Sequence, residues 1–237
     1  MSQRMADAKR SRGISGVNKS SSAIARAAAV SARYNRRYGS RSRLQRAPGM
    51  QRETGFVDVA STSYALDTSG SVTLLNTIAQ GASVNQRVGK KVLMKGLQFR
   101  GNLGNNSAAT VNDIAFMIVY DKRPTGALPT ITDILASASV NSMNNDANAG
   151  RFTVIKRWDD ILLGNASAAA NYTDSMYKAC DYYLPLKGLP TVYKAAGTGA
   201  IGDIEEGALY LVTIGVSAPG TAAAALQGGF RLRFLDV

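Results

Sequence analysis

The sequence predicts an all-β fold, either a sandwich or a jelly roll, behind a basic N-terminal segment. Three observations lead to this fold class. Short apolar runs bounded by glycine, proline, asparagine or aspartate recur along residues 53–237 of the 237-residue chain. Long irregular connections separate several of these runs, which disfavours a meander with short hairpin loops. Only one short segment of this region has the composition of a helix.

Residues 1–52 carry the whole net charge of the chain. They contain 13 lysines and arginines and a single acid, Asp7, which gives +12, whereas residues 53–237 contain 15 basic and 15 acidic side chains. A polycationic segment binds phosphate because binding releases condensed counterions. The sequence therefore predicts a nucleic-acid-binding arm at residues 1–52 and one neutral folded domain at residues 53–237.

Eight or nine segments of the domain have the composition of strands. The strongest is residues 111–120, VNDIAFMIVY, an apolar β-rich run that stops before Pro124, which cannot donate to a ladder. Residues 90–102 place bulky side chains in imperfect alternation between turn signals. The other predicted strands are residues 56–60, 72–78, 151–163, 178–186, 191–195, 208–216 and 230–235.

The one predicted helix of the domain is residues 132–139, with Thr132 or Asp133 as its N-cap. Two long loops, residues 141–150 and 164–174, are rich in asparagine, alanine and glycine. Eight or so strands joined by such loops fit a sandwich or a jelly roll.

The composition excludes much catalytic and metal chemistry. The chain has no histidine, which is the usual general base and the commonest metal ligand, and its one cysteine, Cys180, is expected to be a buried small hydrophobe. The only tryptophan, Trp158, is expected to anchor a core or an interface. Asp159 and Asp160 are the best carboxylate pair, but neighbours on a strand point to opposite faces and do not converge. The sequence therefore predicts no enzyme, metal or cofactor.

Two further patterns have simple interpretations. Gly197, Gly199 and Gly202 spell G-x-G-x-x-G, but three acids follow within four residues, where they would repel a pyrophosphate, so a flexible glycine-rich loop is expected.

No apolar stretch approaches the 18 or so residues of a membrane span, and the basic N-terminus lacks the apolar region of a secretory signal. We expect a soluble protein without a membrane partner, made inside the cell.

Three stretches of the domain together form a set of motifs in a fixed order. Residues 80–103 contain Q-G-x(n)-Q-R-x-G-x-K, residues 116–135 contain the turn D-x-R-P-x-G-x-x-P between a strand and a short helix, and residues 144–160 contain a loop and a strand. In order and spacing they resemble the capsid proteins of small circular single-stranded DNA viruses that encode a replication initiator, the group containing geminiviruses and circoviruses. The three stretches cover about a third of the domain.

The resemblance implies an eight-stranded jelly roll of the viral capsid type, whose copies close an icosahedral shell of about sixty subunits (T=1) around circular single-stranded DNA. It also implies a place in the virion and, during assembly, in the host nucleus. The basic arm would then face inward, and about sixty arms would bring roughly 700 positive charges to the packaged phosphates.

The arm supplies the predicted nucleic-acid-binding residues. They are Arg4, Lys9, Arg10, Arg12, Lys19, Arg26, Arg33, Tyr34, Arg36, Arg37, Tyr38, Arg41, Arg43 and Arg46. Binding should ignore base sequence, because these cations contact phosphates. Tyr34 and Tyr38 either stack on unpaired bases or pack against the inner wall of the shell. Residues 33–46 also fit a nuclear import signal, which makes host import receptors expected partners.

The domain adds a local excess of cations that has two interpretations. These residues are Arg87, Lys90, Lys91, Lys95 and Arg100. They either line the inner wall of the shell or keep a solvated strand edge charged against unwanted pairing.

Two other functions stay open at this point. Jelly-roll capsid proteins that package single-stranded RNA also carry basic arms, and sequencing of nuclease-protected cargo distinguishes them from DNA-packaging ones. A cellular nucleic-acid-binding or ribosomal protein would give stoichiometric complexes instead of closed particles.

Overall fold

The computed structural model describes residues 54–105, 111–162, 177–195, 197–220 and 224–237, which contain nine strands, one short α-helix and two 3-10 helices (Asp146–Asn148 and Ile201–Asp203). The strands are β1 (Thr54–Leu66), β2 (Ser71–Leu74), β3 (Lys91–Asn105), β4 (Asn112–Asp121), β5 (Phe152–Leu162), β6 (Tyr177–Tyr193), β7 (Ile204–Glu206), β8 (Ala208–Gly215) and β9 (Ala224–Asp236), and the helix is α1 (Ile131–Ile134). Within these ranges no helix is long and apolar enough to cross a membrane.

The strands form two antiparallel sheets whose order is that of a jelly roll. One sheet has the order β1-β9-β3-β6-β7 and the other the order β2-β8-β4-β5. With the three-residue strand β7 set aside, the remaining eight pair as first with last, second with seventh, third with sixth and fourth with fifth. This is the pairing of one long antiparallel ribbon that is rolled up, so the predicted jelly roll is confirmed.

All nine predicted strands overlap an observed strand, but β1, β3 and β9 extend beyond their predicted bounds, β7 was not predicted, and two further predictions were wrong. The predicted strand at residues 72–78 ends at Leu74, because Leu75 and Ile78 leave the sheet and become fully buried in the core. The predicted strand at residues 191–195 is not separate, since it is the end of β6. The chain reaches it through a bulge at Lys187 and Gly188, which have φ of 54° and 85°.

The predicted helix at residues 132–139 was also wrong in its bounds. The helix spans Ile131–Ile134 and ends at Leu135, which has extended dihedrals (φ −107°, ψ 150°). Neither Thr132 nor Asp133 is its N-cap. Thr130 precedes the helix instead, and it donates from its backbone N–H and its hydroxyl to the Asp133 carboxylate at 2.7 and 2.8 Å.

Aromatic side chains fill the space between the sheets. Phe116 and Trp158 of the four-stranded sheet stack with centroids 5.0 Å apart, and Trp158 lies 5.2 Å from Tyr182 of the other sheet. Phe99 and Phe230 continue the cluster at 4.7 Å. The prediction that Trp158 is a core anchor is therefore confirmed.

Cys180 is also buried, as predicted for a small hydrophobe, and burial raises the pKa of its thiol.

The connection between β4 and β5, residues 122–151, covers the outer face of the four-stranded sheet. Every residue of β8 and all but one of β4 are buried, so both faces of these strands are shielded from water. Arg157 on β5 donates to the carbonyl oxygens of Val140 and Ser142 in the connection. The carboxylate of Asp121, which is fully buried, accepts from the Arg151 guanidinium at 2.8 Å. An ion pair and apolar contacts thus attach the connection to the sheet.

Candidate nucleic-acid interface

The predicted nucleic-acid-binding side chains of residues 1–52 lie outside the described residues. The same holds for the import signal at residues 33–46 and for the loop at residues 164–174. Their roles stay predictions.

Among the described residues, cations concentrate on the outer face of the five-stranded sheet. Strand alternation and register place nine exposed charged side chains there. Six are basic and three acidic: Lys91, Lys95, Arg100, Lys187, Arg231 and Arg233, with Asp58, Asp181 and Glu206. We call this surface the cationic face. It has a net charge of +3, whereas the domain as a whole is neutral.

Two of the three acids of the cationic face, Asp58 and Asp181, are used in ion pairs. Arg231 donates from Nε and Nη2 to the two carboxylate oxygens of Asp58, each at 2.7 Å, and Arg100 lies 3.0 Å from Asp181. These hydrogen bonds lower the pKa of both carboxyl groups, so Asp58 and Asp181 stay ionised at neutral pH. Phe56 lies under the Arg231 guanidinium, with 4.8 Å between the ring centroid and Cζ.

The other four cations of the face form no ion pair among the described residues. They are Lys91, Lys95, Lys187 and Arg233, of which Arg233 is near enough to Asp58 for its charge to lower the pKa of that carboxyl group. Opposite bulges in β3 and β6 bring two of them together, because Lys95 is the extra residue of β3 and Lys187 lies in the extra loop of β6. The positive φ of Lys187 is rare for a residue with a side chain, and such strain is often found at functional sites.

A shallow groove of about 420 Å³ lies between the paired arginines of the face. Its lining includes Gly229, Arg100 and Arg231, and Ala60 and Ser61 at the bulge of β1. The groove is open and has arginines in its lining, so it suits a charged polymer better than an enclosed small molecule.

Tyr183 provides an aromatic surface next to this groove. Its side chain is 62% exposed, although most large aromatic residues of the domain are buried. The ring lies over Gly96 on β3, where a Cβ atom would overlap the tyrosine hydroxyl. The missing side chain at residue 96 therefore lets the ring lie along the sheet.

Of the five cations of the domain that the sequence analysis names, four are exposed and one is buried. Lys91, Lys95 and Arg100 lie on the cationic face, and Lys90 is exposed just before β3. The interpretation of Arg87 as a surface cation was wrong, because its side chain is fully buried.

Arg87 instead has a structural role in the loop before β3. It donates to the carbonyl oxygens of Gly89 at 2.8 Å and Lys194 at 3.1 Å, and its guanidinium lies 4.4 Å from the ring centroid of Tyr193. The neighbouring Gln86 folds over Gly81, where a Cβ would overlap its amide. The Q-G and Q-R residues of the family motif thus close a loop.

Sequence reasoning missed the contribution of β9 and β6 to this face. Arg231 and Arg233 alternate with phenylalanine and leucine in FRLRF, residues 230–234, which indicates a strand with one charged face. Lys187 and Tyr183 gave no such signal, because the bulge that places Lys187 depends on pairing with β3.

The carboxylate pair Asp159 and Asp160 and the glycine-rich loop at residues 197–202 have structural roles. Asp159 pairs with Arg157 at 2.8 Å and Asp160 with Lys178 at 2.5 Å, so the two carboxylates bind different cations.

In the glycine-rich loop, the Asp203 carboxylate accepts from the backbone N–H groups of Gly199 and Ala200 at 3.1 and 3.2 Å. Such N–H groups would otherwise suit a phosphate, and here a side chain of the same chain occupies them.

Comparison with known proteins gives a family and relatives. The family described as "Geminivirus coat protein/nuclear export factor BR1 family" matches residues 3–237. The capsid protein of Chloris striate mosaic virus is 30% identical over 199 residues, which are 76% of this chain and 80% of the relative. The capsid protein of Miscanthus streak virus (isolate 91) is 28% identical over 70% of this chain and 74% of the relative. Among solved structures, one of Desmodium yellow mottle tymovirus is similar at a TM-score of 0.30 and 11% identity, over 80% of this chain and 91% of that chain.

Proposed function

The chain belongs to the geminivirus coat protein family, and we propose that it assembles into an icosahedral shell and packages circular single-stranded DNA. The proposed shell has about sixty copies in the T=1 arrangement. In this proposal residues 53–237 form the shell and residues 1–52 bind the genome. The observation that carries it is the family match across residues 3–237, which spans both parts.

The charge distribution supports this division of roles. Residues 1–52 hold the net charge of +12, so about sixty arms would neutralise roughly 700 phosphates and leave the remaining phosphates to counterions and to the cationic face. The neutral domains do not repel one another strongly, which suits close packing in a shell. Contacts with phosphate carry no base readout, so packaging does not depend on sequence within the DNA.

As a coat protein the chain is a structural component of the virion. We propose that it also enters the host nucleus during assembly, with residues 33–46 as the segment that import receptors bind. A cluster of basic residues in a polar segment suits that role. The family description supports nuclear traffic, since it includes a nuclear export factor.

Removal of the arm tests the proposal. Deletion of residues 1–46 should leave uniform particles in electron micrographs and remove the nuclease-protected DNA from them, because the neutral domain makes the subunit contacts. Truncated particles that still hold full-length DNA would contradict the assignment of packaging to the arm. A chain that sediments as a monomer under all salt and pH conditions would contradict assembly.

Charge and length of the arm can be separated with matched variants. Replacement of Arg33, Arg36, Arg37, Arg41 and Arg43 by lysine keeps the charge, whereas replacement by glutamine removes it at the same length. We expect the lysine variant to retain cargo and the glutamine variant to lose much of it. Sequencing of the protected cargo decides between DNA and RNA, and RNA as the main cargo would overturn the proposed DNA packaging.

A further inference from the structure

We propose that the cationic face of the five-stranded sheet is a second binding site for single-stranded nucleic acid, in which free cations hold phosphates and Tyr183 stacks on a base. The proposal rests on the proposed packaging function and adds a site in the folded domain to the one in the arm. Its chemistry is that of a groove that binds unpaired strands, with cations along the backbone and an aromatic ring for a base.

Charge complementarity favours a polyanion on this surface. Four cations of the face, Lys91, Lys95, Lys187 and Arg233, form no ion pair among the described residues, and two of the three acids of the face are already bound to arginines. A neighbouring protein surface would need a cluster of acids to match them. A phosphate backbone supplies one negative charge per nucleotide along its length.

The spacing of the cations suits an extended strand. Arg231 and Arg233 are two residues apart on β9, which corresponds to about 6.6 Å along the sheet. Lys95 lies beside them, because its neighbour Gly96 pairs with Arg233. The cations therefore form a band across the sheet. A single strand of nucleic acid can follow this band.

The position of Tyr183 favours single-stranded over double-stranded nucleic acid. Gln98 on β3 pairs with both Arg231 and Tyr183, so the ring is in the same row as a cation of the face. A base that stacks on this ring must leave its own partner, which a duplex resists. Tyr177 and Tyr183 are the two aromatic residues with the largest exposure among the described residues, and Tyr183 is the one that lies in the row of the cations.

Crosslinking in the full-length protein tests the position of the site. An oligothymidylate that carries iododeoxyuridine is bound to the full chain and irradiated, and mass spectrometry locates the crosslinks; an oligouridylate carrying iodouridine is the RNA arm of the test. We expect a crosslink at Tyr183 with the single strand and none with a duplex of the same length. Crosslinks confined to residues 1–52 would overturn the proposal and leave the proposed function of the arm intact.

Affinity measurements separate the two chemistries of the site. Tyr183→Ala should weaken binding of the oligothymidylate to the full chain about tenfold with no change in salt dependence, and Tyr183→Phe should bind like the natural chain. Arg233→Gln should lower the slope of log affinity against log salt by about 0.7. Lys156→Gln, on β5 of the other sheet, removes the same charge and should leave the slope unchanged.

Gly96→Ala is a variant that displaces the Tyr183 ring without a change in charge. It should reproduce the loss seen with Tyr183→Ala, and circular dichroism reports whether it is folded. Unchanged affinity in both Tyr183→Ala and a folded Gly96→Ala would overturn the role of the ring. Protection of Tyr183 from hydroxyl-radical footprinting in cargo-free particles would also overturn the proposal, because a neighbouring subunit would then occupy the face.

Discussion

The four-stranded sheet is covered on its outer face by residues 122–151, whereas the five-stranded sheet leaves its outer face open and positively charged. Both sheets come from the same rolled ribbon, so strand pairing does not explain the difference. The length of one connection explains it, because the chain between β4 and β5 is long enough to return over its own sheet. The covered sheet is buried on both faces, whereas the open sheet leaves one charged face exposed.

Removal of the buried charge that attaches the cover should have the largest effect on stability. Asp121→Ala leaves the partly buried guanidinium of Arg151 without its partner and should reduce the free energy of unfolding by about 3 kcal/mol. Urea unfolding of the full-length chain measures this change. The control is Asp181→Asn on the open sheet, which breaks an exposed ion pair and should leave the unfolding midpoint unchanged. Equal effects at both sites would contradict the comparison.

Truncation of an outward-facing side chain should cost much more stability on the central strand β4 of the covered sheet than on the central strand β3 of the open sheet. Met117 on β4 faces the cover and is fully buried, so Met117→Ala should cost about 3 kcal/mol by leaving a cavity. Gln98 occupies an outward position on β3 and is half-exposed, so Gln98→Ala should change stability by less than about 0.5 kcal/mol. Thermal unfolding of the two variants gives the comparison, and a small effect at Met117 would show that the cover is loosely packed.

A smaller effect is expected at the start of helix α1 in the cover. The hydrogen bonds from Thr130 lower the pKa of the Asp133 carboxyl group. Stabilisation from this group is present above the ordinary carboxyl pKa and is lost as pH falls through the lowered one. Asp133→Ala should therefore destabilise the domain by about 0.5–1 kcal/mol at neutral pH and by nothing in strong acid, where the natural chain has lost the same bonds. A difference that persists in acid would contradict this cause.

The difference between the sheets is partly visible in the sequence. Residues 111–120 form an almost unbroken apolar run, as expected for a strand buried on both faces, and residues 230–234 alternate between arginine and apolar side chains, as expected for one exposed face. Together with the motif resemblance, these patterns were sufficient for the fold class.

The parts that could not be predicted depend on contacts between distant residues. Gly101 reads as a strand end, yet β3 continues to Asn105, because the strand passes so close to Gly228 of β9 that neither position has room for a side chain. Arg87 reads as a surface cation, yet one of its acceptors is the carbonyl of Lys194, 107 residues away. The cationic face of the domain could not be predicted from the sequence, because strand register decides which cations share that face.

The smallest effect on stability, and the sharpest test of the open sheet, comes from the acids that neutralise two of its arginines. Asp181→Asn and Asp58→Asn each free a guanidinium for phosphate while the strands stay paired. Each change should raise the magnitude of the salt slope for oligothymidylate binding by about 0.7 and tighten binding severalfold at low salt. Asp159→Asn on β5 is the matched control, since it removes the same negative charge beside an arginine that stays bound to the cover and is not on the cationic face. If all three variants bind alike, only net charge matters, and the open sheet is no better a site for nucleic acid than the covered one.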